Sequence, residues 1–114
     1  MYIELGSTFG RLSAMQPVTC LHMLGQMIQV AGADHILWGT DSIWGGSPQS
    51  QIDRLRRLTM REELREKFKY ADLTAEIKNQ FFGLNAAKIF RIDPAAKRTA
   101  IKTDKLSQLR DDYR

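Results

Sequence analysis

Cysteine is almost absent from this chain: Cys20 is the single one in 114 residues. An internal disulfide framework is therefore excluded, and a reducing cytoplasm is the expected setting. Histidine is also scarce, with only His22 and His35, so no imidazole cluster of the kind that holds a catalytic zinc can form. No apolar run approaches the roughly 18 residues that a membrane span needs. The first ten residues, with Glu4 among them and no basic leader before an apolar stretch, do not read as a signal peptide. Charge of one sign is missing too. Seventeen Lys and Arg face thirteen Asp and Glu, a net +4 with a pI near 9.5. Yet Arg54, Arg56, Arg57, Arg61 and Arg65 are interleaved with Asp53, Glu62, Glu63 and Glu66. Mixed charge of that kind is a solvated helix face rather than a nucleic-acid footprint. Neither nucleic acid nor membrane is an expected partner.

What is present is the length and composition of one small soluble domain: 43% hydrophobic and 26% charged residues. Residues 2–5 read as a short strand closed by Gly6, Ser7, Thr8 and Gly10. A chain that starts inside a strand fits a piece of something longer. Pro17 suits the first turn of a helix, whose buried stripe would be Leu21, Leu24 and Ile28 and whose end would be Gly32. Met15, Met23 and Met27 are expected to be adaptable packing residues. Residues 36–41 then read as a buried parallel strand, followed by a glycine-rich loop over 42–48. A helical pattern follows at Gln51, Ile52, Leu55 and Leu58. Strand, helix, strand, helix implies a parallel βαβ unit. Beyond it, Thr74 can cap a helix with Ile77, Phe81 and Leu84 on one face, and Gly83 with Asn85 marks a break before a second short helix. Pro94 interrupts, and residues 105–113 suit one last helix.

The most informative stretch is Gly32-Ala33-Asp34-His35-Ile36-Leu37-Trp38-Gly39-Thr40-Asp41-Ser42. It resembles the amidohydrolase superfamily, in the amidohydrolase-related branch that includes decarboxylases of aromatic acids. That branch shows a glycine–aspartate turn, an apolar strand and Gly-Ser/Thr-Asp at the strand's C-terminal end. Ser47-Pro48-Gln49 and Phe82-Gly83-Leu84-Asn85-Ala86-Ala87 also look like the family's ending. The likeness runs along nearly the whole chain but covers only the last third or so of a barrel of about 250 residues. It implies an α/β fold: the last two βα units of a TIM (β/α)8 barrel plus C-terminal helices, an incomplete barrel. Residues 1–114 would form a single partial barrel segment, with 72–114 as a helical C-terminal extension.

The resemblance also implies the chemistry. Asp41, at the end of the second strand, inherits the role of metal ligand and general base in metal-activated water chemistry, whether hydrolysis or nonoxidative decarboxylation. A divalent metal, zinc in the first instance, would serve the complete enzyme, and none is expected on this chain alone. The family's His-X-His pair and its middle-strand His or Lys ligands have no counterpart here. His35 lies six residues before Asp41, roughly 20 Å along a strand at about 3.3 Å per residue, too far to share an ion with it. Ser42 and Trp44 fall in the loop where barrels take substrate contacts, and Trp44 would wall a pocket. Glu4 reads either as a luminal or as a solvated acid. Cys20 lacks a His–Asp partner pattern, and Gly45-Gly46 lacks the Lys-Ser/Thr of a phosphate loop. A small-molecule substrate is the expected partner of the complete enzyme, with a homo-oligomer or the missing barrel half as the protein partner. The alternative is a non-catalytic α/β fragment acting as a protein-interaction module, because two strands cannot close a barrel and leave both edges unpaired.

Overall fold

The computed structural model describes residues 1–42, 47–98 and 105–113. Two short strands, β1 (Ile3–Glu4) and β2 (Ile36–Leu37), pair in parallel with Ile3 opposite Ile36 and Glu4 opposite Leu37. The ladder is extended by the Leu5 N–H, which donates to the Leu37 carbonyl at 3.0 Å. The expected second strand over 36–41 is thus shorter than its pattern suggested.

The stretch expected as a closing turn is instead a helix, α1 (Gly6–Met15). Two glycines and two hydroxyl residues there suggest a turn locally. Phe9, fully buried, and the half-buried Leu12 give the segment an inner face that packing rewards. Gln16 stops it with φ −141°, as suits a residue that precedes proline. Pro17 then opens α2 (Pro17–Ala31), which buries Cys20, Leu21, Leu24 and Gly25 and ends at Gly32 with φ +91°. Burial of each large side chain on this stripe stabilises the fold by about 1.5–3 kcal/mol. The expected limits of this helix hold. Met15 is a correction: it is 74% exposed, while Met23 and Met27 pack against the core.

Helix α3 (Pro48–Arg57) begins on Ser47, whose Oγ accepts the Gln49 N–H at 3.2 Å, and it buries Gln51 and Leu55. Its C-terminal carbonyl at Arg56 is met by the buried Lys78, whose Nζ donates at 2.9 Å. Helix α4 (Glu62–Phe68) carries acids in its first turn and bases in its last, matching its dipole. Tyr70 then folds its ring onto Gly25, where any Cβ would run into it.

Thr74 caps α5 (Ala75–Asn79) by accepting the Ile77 N–H, as its position suggests. No break follows. A π-turn at Gln80–Leu84 leads straight into α6 (Asn85–Ile89). The wider turn shifts the helical phase: Phe81 stays buried, Leu84 swings out to 50% exposure, and Asn85 comes to face the core. Asn85 is therefore not a helix cap. Its Nδ2 donates to the carbonyls of Ala33 and Ile36, each at 2.8 Å. Two further helices, α7 (Pro94–Arg98) and α8 (Lys105–Asp112), complete the described chain. The architecture is a mixed α/β chain, mostly helical around a two-stranded parallel sheet. Among the described residues no helix is long and apolar enough to cross a membrane.

Candidate functional site

The C-terminal ends of β1 and β2 lie side by side; Glu4 is the last residue of β1, and Asp41 follows four residues after Leu37, the last of β2. Trp38 turns towards the helices, packing edge-on against Phe9 (5.6 Å between centroids) and Phe82 (4.9 Å). Edge-to-face pairs of this sort contribute about 0.5–1.5 kcal/mol each beyond area burial. Gly39 meets β1's last side chain instead: a Cβ on Gly39 would collide with Glu4 Oε1. Glycine at 39 is what admits the Glu4 carboxylate.

Glu4 Oε1 accepts the Gly6 N–H at 3.1 Å, and Asp41 Oδ2 accepts the next one, Ser7 N–H, at 3.3 Å. Both acids thus sit on the first turn of α1, a helix with no side-chain cap at its N-cap residue and no acid in its own first turn. A negative charge at such an end is worth about 0.3–1 kcal/mol when exposed. The turn is tight. Gly6 has φ +49°, and the point its Cβ would occupy lies 3.0 Å from Glu4 Oε2 and 3.5 Å from Asp41 Oδ2. Asp41 itself has φ +45°, a left-handed conformation that Asp tolerates better than most residues. The segment that leads into it is anchored from α3, where Gln51 Nε2 donates to the Thr40 carbonyl at 3.1 Å.

Glu4 and Asp41 are both exposed, so each carboxylate keeps acceptor capacity beyond its backbone bond. Such a pair can accept a proton or offer oxygen to a hard or borderline divalent ion. It does not make a complete catalytic zinc set, which takes three protein ligands. Among the described residues no group of three His, Cys, Asp or Glu could hold a metal ion. The residues present therefore fit part of the ligand set of such a centre and not the whole of it.

The histidines stand apart from this pair. His35 Nδ1 bonds Asp34 Oδ1 at 2.9 Å and its ring lies 4.6 Å from that of Tyr2. His22 Nδ1 shares a 3.0 Å hydrogen bond with the Tyr70 hydroxyl. Cys20 is fully buried, and burial pushes its thiol up to about 11 against a weaker lowering by Arg54. A thiol so protonated is no nucleophile near neutral pH. Ser42 is half-buried beside Asp41, while Trp44 lies outside the described residues. Sequence reasoning singled out Asp41 and weighed Glu4, but missed the Ser7 N–H and Gln51. The signal was there in part: Gly6 and Gly39 are small at positions that neighbour the two acids.

A family model described as amidohydrolase matches residues 2–92, a span that takes in both strands, Asp41 and every helix through α6. No curated protein and no solved structure matches the chain.

Proposed function

The chain belongs to the amidohydrolase family, and we propose that it is the C-terminal part of a metal-dependent hydrolase or nonoxidative decarboxylase. In this reading β1 and β2 are the last two strands of a (β/α)8 barrel, and residues 72–114 form a helical extension. Asp41 is the metal ligand and general base. One observation supports the reading: Asp41, four residues beyond the C-terminal end of β2, has its carboxylate exposed and hydrogen-bonded to the Ser7 N–H that follows β1, on the side of the sheet where barrels do their chemistry.

The divalent metal, zinc in the first instance, supplies Lewis acidity that makes water a better nucleophile or polarises a carboxylated substrate. The chain's own groups do the rest. Ser7 N–H engages Asp41 Oδ2 and fixes the carboxylate's orientation, leaving Oδ1 to ligate or to take a proton. Glu4 holds the Gly6 N–H, and so the turn that presents Ser7. Ser42 and Trp44 contact a small-molecule substrate. The remaining ligands come from the other strands, supplied by the missing barrel half as partner.

Co-expression with the upstream part of a family member tests the reading. Turnover restored in the pair should fall by a factor of at least about 10² on Asp41→Asn, the scale of a lost general base. His35→Gln, at the opposite end of the strand, should leave turnover within about twofold of wild type. Equal damage from the two substitutions would overturn the site. Metal analysis of the dialysed chain alone should find no tightly held ion, and one equivalent per chain would reveal a different ligand set.

A further inference from the structure

Residues 40 and 41 are held at two points, and both lead back to α1. The Asp41 side chain is held on the Ser7 N–H. The backbone just before it is held by Gln51 of α3, whose Nε2 donates to the Thr40 carbonyl at 3.1 Å. That amide is in turn placed against α1. Gly10 leaves it room, since a Cβ there would come within 3.0 Å of Gln51 Cδ and Oε1 and 3.2 Å of Nε2. One turn further along α3, Arg54 Nε donates to Ser13 Oγ at 2.9 Å and Nη2 to the Gly10 carbonyl at 3.4 Å, which ties α3 to α1.

Gln51 is 1% exposed, and its burial carries a cost. Its Oε1 has no hydrogen-bond partner, the sole buried side-chain nitrogen or oxygen in that state among the described residues. Turning the amide over gives no relief, because it would set Oε1 against the Thr40 carbonyl oxygen, two acceptors face to face. An orphaned buried acceptor loses as much as an ordinary hydrogen bond returns, or more. A methionine would fill similar space with no polar atom left over. Packing therefore does not account for an amide at 51, whereas the Thr40 carbonyl does.

That carbonyl governs the residue beside it. The Thr40 oxygen lies in one rigid peptide plane with the nitrogen and Cα of Asp41. Holding the oxygen fixes the plane from which the Asp41 side chain departs. Asp41 has φ +45°, and a left-handed residue keeps that conformation where its surroundings impose it.

We propose that Gln51 is a positioning residue for Asp41: through the Thr40 carbonyl it sets the backbone that aims the Asp41 carboxylate at the Ser7 N–H, and it does so against the stability of the fold. The role rests on the reading of Asp41 as the working carboxylate, yet its geometry is open to test in the chain alone.

The readout is the Ser7 amide proton, followed by NMR in the full chain as pH is lowered through the carboxylate range. The part of its titration that Asp41→Asn removes reports the hydrogen bond to Asp41. The Gly6 amide, bonded to Glu4 Oε1 at 3.1 Å, is the control. In Gln51→Met the Asp41-dependent response at Ser7 should fall below about half of wild type, while the Gly6 titration stays and the urea midpoint holds or rises. Gly10→Ala crowds the amide from α1 without altering a polar group and should also lower the Ser7 response, so the test stands even if Gln51→Met does not fold. A full Ser7 response in either folded variant overturns the proposal. So does a loss shared equally by Ser7 and Gly6, the mark of a merely structural role. In the co-expressed pair, Gln51→Met should lower kcat about tenfold with KM within about twofold, the pattern of a misaligned reacting group. Wild-type kcat in Gln51→Met beside a damaging Asp41→Asn overturns the role as well. Turnover untouched by Asp41→Asn would instead overturn the reading of Asp41 itself, and the Ser7 response, which needs no turnover, tells the two failures apart.

Discussion

The two ends of one short strand pair are built in opposite ways. At the N-terminal end of β2 a neutral, buried amide does the work: Asn85, 4% exposed, closes the carbonyls of Ala33 and Ile36. Around it the Asp34–His35 pair and the Tyr2–His35 ring contact finish the surface. At the C-terminal end two acids are held on helix N–H groups, exposed, over a glycine that must stay bare. There the backbone is left-handed at Gly6 and Asp41. One end satisfies polar groups and hides them. The other keeps charge in the open and accepts an uncommon backbone conformation at Gly6 and Asp41.

That contrast can be broken most decisively at Asn85. Asn85→Leu removes the Asn85 donor from one buried carbonyl, Ile36, and one half-buried carbonyl, Ala33, and should lower unfolding free energy by about 2–4 kcal/mol, each orphaned group costing about 1–3. Urea denaturation measures it, and a loss below about 1 kcal/mol, inside the range of a single ordinary hydrogen bond, would erase the distinction between the ends. Gly39→Ala comes next. The new Cβ displaces the far end of a flexible Glu4 side chain, so the loss should be near 1 kcal/mol, the value of the Glu4–Gly6 bond that goes with it. A loss of several kcal/mol would mean the strand end is as rigidly packed as the other.

Glu4→Gln should matter less still, about 0.3–1 kcal/mol, because the amide oxygen can still accept the Gly6 N–H and only the charge at the helix terminus is lost. High salt should shrink that difference. The smallest effect lies at the Asp34–His35 pair. The hydrogen bond from His35 holds the Asp34 carboxyl below its usual value of 3.8. A depressed carboxylate pKa contributes stability that is present above the unfolded value and lost as pH falls through the folded one. The stability gap between wild type and Asp34→Asn should therefore close as pH falls below about 5, where the unfolded carboxylate begins to titrate. A gap that widened in acid would show that the pair does not form.

Legibility followed the range of the interactions. Helix α2 announces itself through Pro17, its apolar spacing and Gly32, and α5 through Thr74; each signal lies within a few residues of what it specifies. Asp41 is visible as part of Gly39-Thr40-Asp41. The helix at 6–15 is not visible in this way, because the caps that complete its first turn are Glu4, two residues before Gly6, and Asp41, thirty-four residues beyond Ser7. The π-turn is equally hidden, since it is set by which of Phe81, Leu84 and Asn85 finds room inside.

By itself, then, the sequence determined the element types with strong local periodicity, the parallel order of the two strands and the acid that follows the second strand. Local capping, proline geometry and hydrophobic spacing act over one or two helical turns and can be read along a line. Tertiary structure alone decided that Glu4 fills the space left by Gly39, that Ser7 orients Asp41, and that Asn85 serves a distant pair of carbonyls. Those outcomes depend on which backbone groups are left without partners once the helices pack onto the strands, and only the folded chain brings their donors and acceptors within 3 Å or so of one another.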